Sequence, residues 1–86
     1  MRRFTDQAGR TWLAVVREEP GIDYKGRFYL AFTPEGGPED EVYPLEDVRW
    51  NTERTGLRTI ETMSQFELRR RLAWALQRGP GMPIGR

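Results

Sequence analysis

The residues of this chain that could do chemistry are carboxylates set side by side. Glu18–Glu19 and Glu46–Asp47 are adjacent acids, and Glu39, Asp40 and Glu41 form a run of three. Two carboxylates can share general-acid and general-base work when burial or a neighbouring charge drives their pKa values apart. All three groups lie in polar, turn-like stretches that supply neither. The acidic run could attract a cation, yet it lacks the spaced oxygen ligands and distal Glu of a calcium loop. Arg54, Gly56 and Arg58 in "TERTGLR" could cradle an anion, but the composition predicts an ordinary turn. No G-x-x-x-x-G-K-[ST] or G-x-G-x-x-G run is present to hold a phosphate. The chain has no His and no Cys, which removes imidazole catalysis, thiol chemistry, disulfides and the usual zinc sites. The expectation is a protein that is not an enzyme, with no metal, no cofactor and no small-molecule substrate.

Such a protein acts through its surface, and its length bounds that surface. The chain has 86 residues, the size of one domain, and a chain this short buries only roughly 60% of its unfolded surface. Hydrophobic residues make up 37% and charged residues 31%, which is polar but within the globular range. The opening "MRRFTDQAGR" has no apolar run behind its arginines, and the longest apolar runs, Phe28–Phe32 and Leu13–Val16, are far too short to span a bilayer. These features predict a soluble, cytoplasmic protein.

The net charge of +1 hides a segregation: residues 1–17 carry +3, residues 18–53 carry −7, and residues 64–86 carry +4. An acidic middle and a basic end can steer a partner or complement each other within the fold. Thirteen of the fourteen bases are Arg, the cation better suited to interfaces because its planar guanidinium is less costly to desolvate.

The elements that would carry this surface are readable in order. In "FTDQAGRTW" Asp6 suits the first position of a type I turn and Gly9 the left-handed position that closes a hairpin with a bulge. Phe4 then faces Trp12 across the ladder. The Asp is thereby used by a turn, not by a site. Thr11–Arg17 alternates Trp12, Ala14 and Val16 against Leu13 and Val15, which predicts a central strand covered on both sides. Pro20–Gly21 stand in the order of a type II turn. Gly26–Thr33 reads as the next strand, with Phe28, Leu30 and Phe32 on one face. "EVYPL" suggests a short strand that Pro44 confines to an edge or ends. "EDVRWNTERTGLR" carries no clear pattern, and "RTIETM" alternates as a last strand would.

The strongest signal follows. Ser64 and Glu67 fit a capping box, Met63 and Leu68 fit the flanking hydrophobic staple, and Gly79–Pro80 supply a stop. A helix is predicted from Gln65 to Arg78. Leu68, Leu72, Ala75 and Leu76 share one stripe of it. Trp74 falls on the opposite side with Arg70, Arg71 and Arg78. Trp and Arg are the residue types enriched at interface hot spots.

The hairpin "RRFTDQAGRTW" resembles the start of small, uncharacterised bacterial proteins that open R-R-F-T-D-x-x-G-R-x-W. The resemblance covers about eleven residues, implies a bacterial origin and carries over no function.

The sequence therefore predicts one α+β domain over residues 1–79 with a Pro/Gly-rich tail at 80–86. Its architecture is a small antiparallel sheet of three to five strands with one C-terminal helix packed on it, or alternatively an SH3-like barrel plus helix. The expected function is that of an accessory or adaptor subunit of a larger bacterial assembly, soluble or on the cytoplasmic side of a membrane complex. Its partner-binding residues would be Trp74, Arg70, Arg71, Arg78, Met82 and Ile84. The alternative is a small nucleic-acid or polyanion binder using Arg2, Arg3, Arg70, Arg71 and Arg78. A dedicated nucleic-acid binder is usually basic across its domain, which favours the adaptor. Peripheral membrane association is compatible with a Trp/Arg face. Replacing the helix cap, Ser64→Ala, should cost about 0.5–2 kcal/mol in a denaturant melt; an unchanged midpoint would show that Ser64 caps nothing.

Overall fold

A computed structural model describes residues 1–21, 26–38 and 40–80. Four strands, β1 (Arg2–Thr5), β2 (Thr11–Glu18), β3 (Phe28–Pro34) and β4 (Tyr43–Trp50), precede two helices, α1 (Glu53–Thr62) and α2 (Gln65–Arg78). The strands form one antiparallel sheet in the order β1-β2-β3-β4. Both β1 and β4 are edges, so the sheet is open and the barrel alternative does not apply. The fold is a small α+β unit with two helices where the sequence predicted one.

Period-2 alternation explains which sheet face is buried. Phe4, Trp12, Ala14, Leu30, Phe32 and Leu45 join Ile60 of α1 and Leu68, Leu72 and Ala75 of α2 in a single core. Leu13 and Val15 point the other way and are only partly buried. The expectation that β2 is covered on both sides is thus corrected. Both helices pack on one face, and the opposite face carries neither.

The β1–β2 hairpin forms as its residues dictate. Phe4 pairs with Trp12, Gly9 takes a φ of 88°, and its N–H donates to the Asp6 carbonyl at 3.1 Å. Gly21 likewise has a positive φ of 84°, as the second central residue of a type II turn requires; Ile22–Lys25 lie outside the described residues. β4 is an edge strand containing Pro44, as expected, but it continues to Trp50. Its register against β3 jumps between Tyr29, opposite Arg49, and Leu30, opposite Leu45. The surplus residues Glu46 to Val48 form a bulge, with Val48 turned to the core and Asp47 left exposed.

The largest departure from expectation is α1. "RTIETM" is not a strand, and "TERTGLR" is not a turn. Thr52 caps the helix, its hydroxyl accepting the Thr55 N–H at 3.1 Å, and Glu53 favours the positive end of the dipole. Gly56 and Ile60 face the sheet one turn apart. Gly56 is there for space, not for conformation. A Cβ at this position would stand 2.7 Å from Trp50 Cε3 and 2.9 Å from Val16 Cγ2, so the side-chain-free turn lets the helix lie directly on the sheet.

The other end of α1 is closed by Arg2. One guanidinium nitrogen, Nη1, donates to the carbonyls of Ile60 at 3.3 Å, Glu61 at 3.0 Å and Met63 at 2.9 Å. Carbonyls at a helix C-terminus have no intrahelical partner and carry partial negative charge, so a cation there is favoured. α2 has the predicted bounds. Ser64 accepts the Glu67 N–H at 3.1 Å, and Gly79 donates to the carbonyls of Ala75 and Leu76. The reciprocal half of the capping box is absent, because the Glu67 carboxylate turns to Arg71 instead. The tail residues Met82 and Ile84 lie outside the described residues. Gly56→Ala should lower stability by about 1–3 kcal/mol through overpacking, despite Ala's better helix propensity of roughly 1 kcal/mol; a thermal melt in which the variant gains stability would contradict the close approach.

Candidate functional site

Three large apolar side chains of α2 remain in solvent: Phe66 is 70% exposed, Trp74 42% and Leu76 41%. Helix geometry explains the set. At 100° per residue, the buried positions Leu68, Leu72 and Ala75 define the inner face, and Phe66, Ala73 and Trp74 fall on the outer one. Leu76, predicted for the core stripe, sits at its border and is turned out. The missed feature is Phe66. Its position just inside the cap was legible, but a residue at the start of a helix reads equally well as a flank of the core.

The Trp74 indole lies under a cation, with the Arg70 guanidinium carbon 5.1 Å from the ring centroid. Such a stack contributes about 0.5–1 kcal/mol at an exposed site. Among the described residues Arg70 makes no ion pair or hydrogen bond. The other predicted arginines are engaged. Arg71 Nε stands 2.8 Å from Glu67 Oε2, one turn away, though off the direction of an aligned hydrogen bond. Arg78 reaches across to the β4 bulge, its Nη2 lying 2.7 Å from Asp47 Oδ2. That contact holds the Asp47 carboxyl below the usual carboxylate range and raises Arg78. Arg3 pairs with Glu35 at 2.7 Å, and Arg2 is the cap of α1. The structure therefore brings Arg70 to Trp74 and disperses Arg2, Arg3, Arg71 and Arg78 among separate partners.

Beside this face runs a groove of about 530 Å³. One wall is α2, through Phe66, Arg69, Arg70, Ala73 and Leu76; the other is the hairpin tip, Asp6–Ala8. Arg69 ties the walls together, its Nε donating to the Thr5 carbonyl at 2.8 Å. The tip itself is held by Asp6. One carboxylate oxygen accepts the backbone N–H groups of Ala8 and Arg10, both at 2.9 Å, and the other accepts the Trp12 indole N–H at 2.8 Å. The indole bond is the main cause of a depressed Asp6 pKa, with the two backbone donors and the Arg10 charge adding to it against some desolvation.

Several of the carboxylates considered for chemistry are engaged in other contacts, while Asp40 and Glu46 are exposed. Glu18 pairs with Arg27 at 3.4 Å and Glu19 with Arg49 at 2.7 Å. Glu41 accepts the Tyr43 hydroxyl at 2.7 Å, which raises the Tyr43 pKa. Glu39 lies outside the described residues. Among the described residues, no three acids converge to hold a metal ion, and no helix is long and apolar enough to cross a membrane. Set against protein-family models, curated proteins and solved structures, the chain matches none.

The Asp6 geometry carries a pH dependence. Its folded pKa lies below the ordinary 3.8, so its contribution to stability is present above that value and is lost as pH falls through the folded pKa. Asp6→Asn leaves one oxygen for three donors. It should cost about 1.5 kcal/mol or more at pH 7 and flatten the acid limb of a stability-against-pH curve. An acid limb equally steep in the variant would assign it to other carboxylates.

Proposed function

We propose that this protein is a non-enzymatic adaptor that docks a protein partner through the outer face of α2. The carrying observation is the exposure of Phe66 and Trp74 on the outer side of α2, with Leu76 exposed at the border of the inner side that fills the core. Single exposed apolar side chains are ordinary on a protein surface, whereas several grouped on one element beside cations have the composition of a binding patch. Trp74 beneath Arg70 supplies the anchor, since Trp and Arg are the side chains enriched at interface hot spots. In this reading the partner belongs to a larger assembly, soluble or at the cytoplasmic side of a membrane complex.

The polyanion alternative receives less support. A phosphate backbone is bound by several free cations acting together, and four of the five arginines assigned to that role are engaged in separate contacts. The adaptor reading is tested with two measurements on one variant. Trp74→Ala should leave the melting free energy within about 0.5 kcal/mol, as surface changes usually do. The same change should weaken the captured partner, identified by mass spectrometry after affinity purification from the native source, by about 2 kcal/mol or more. A loss of roughly 3–5 kcal/mol in stability would mark Trp74 as core, and undiminished capture would remove it from the interface.

A further inference from the structure

The geometry points to the groove between the hairpin tip and α2 as the seat of a short, acidic, amphipathic helix supplied by the protein partner. This inference rests on the adaptor reading and adds the class of segment that is bound. Phe66, Ala73 and Leu76 recur along α2 at helical spacing over ten residues, a length of about 15 Å or three helical turns. The smallest of them, Ala73, stands in the middle, where the absence of bulk lets a second helix approach to about 8–10 Å between axes. Phe66 and Leu76 close the two ends. A concave apolar channel of this length suits a ridge of side chains at i, i+4 and i+7.

Charge selects among such ridges. Arg69 and Arg70 stand on the rim, and Arg70 has no acidic partner among the described residues. Asp6 is the one acid lining the groove, and its oxygens are taken by three N–H donors. Acidic side chains flanking the ridge would therefore meet the Arg70 guanidinium and that of Arg69, whose bonds among the described residues are only to the neutral Thr5. A second copy of the chain is disfavoured as the occupant, because a two-fold contact would set Arg69 and Arg70 against their own images. A bilayer surface presents no ridge to fill a channel.

The test is selection from a displayed library of random 16-residue peptides on the immobilised full chain. Two folded variants, Ala73→Arg and Ala8→Glu, alter opposite walls of the groove, so the loss of one to misfolding leaves the other. The recovered peptides should carry apolar residues at i, i+4 and i+7 with Asp or Glu beside them. Made synthetically, they should bind each wall variant at least tenfold more weakly than the unaltered chain, and Arg70→Glu likewise. Three results would overturn the assignment: recovery of extended or basic peptides, equal binding by the wall variants, or wall-dependent sedimentation with phosphatidylglycerol–phosphatidylcholine vesicles in place of peptide binding. If the wall variants still capture the native partner while Trp74→Ala does not, the adaptor reading stands and the groove assignment alone falls.

Discussion

The buried indole of Trp12 is the contact on which the rest of this small structure depends. Its ring fills the core beside Phe4 and packs edge-on against Tyr43 at 5.7 Å. Its N–H must then find an acceptor, because an unpaired polar group in the core costs about 1–3 kcal/mol. Asp6 provides it from the tip of the same hairpin. One residue thus links the first strand pair, the far edge strand and the turn. A fully buried Trp in a chain of this length is a large share of the core, so the turn that satisfies it is not free to drift. The outer wall of the groove inherits that fixity.

A four-stranded sheet with one covered face sets the second constraint. Two helices lie over it, and the connections from β4 to α1 and from α1 to α2 are short, Asn51–Thr52 and Met63–Ser64. Gly56 lets α1 sit against Trp50 and Val16, and Arg2 on the edge strand closes the last turn of α1 while also reaching the Met63 carbonyl at the α1–α2 junction. With α1 placed in this way, α2 covers what remains of the sheet along β4 and β1. Its inner residues complete the core, and nothing in the described chain lies over its outer side. Exposure of Phe66 and Trp74 is a consequence of having six elements and one face to cover.

Electrostatics follows the same layout. Two ion pairs join the basic ends of the chain to its acidic middle, Arg78 on Asp47 and Arg3 on Glu35, while Arg49–Glu19 and Arg27–Glu18 form within the acidic stretch. These exposed pairs contribute little to stability, but they take Arg3 and Arg78 out of any patch shared with Arg70. Arg70 is left on the α2 face, beside the apolar residues.

The sequence by itself determined the β1–β2 hairpin, the core face of β3, and α2 with both its caps, but not which face of β2 is covered. Each of these is written in local chemistry: Asp6 and Gly9 in a turn, period-2 alternation, a Ser, a Gly and a Pro at the ends of a helix. It did not reveal α1, because two of the features that make that helix work are silent in a hydrophobic pattern. Gly56 adds no apolar signal though it marks the closest packing, and the threonines of "RTIET" favour strands in isolation. Nor could it tell that Leu76 faces out, that Glu67 prefers Arg71 to the cap, or that Arg2 belongs to a helix end 58 residues away. Those outcomes were decided only by the tertiary structure. The rotation of α2 about its axis, and the reach of a guanidinium across the sheet edge, are set by which surfaces the other elements have already covered.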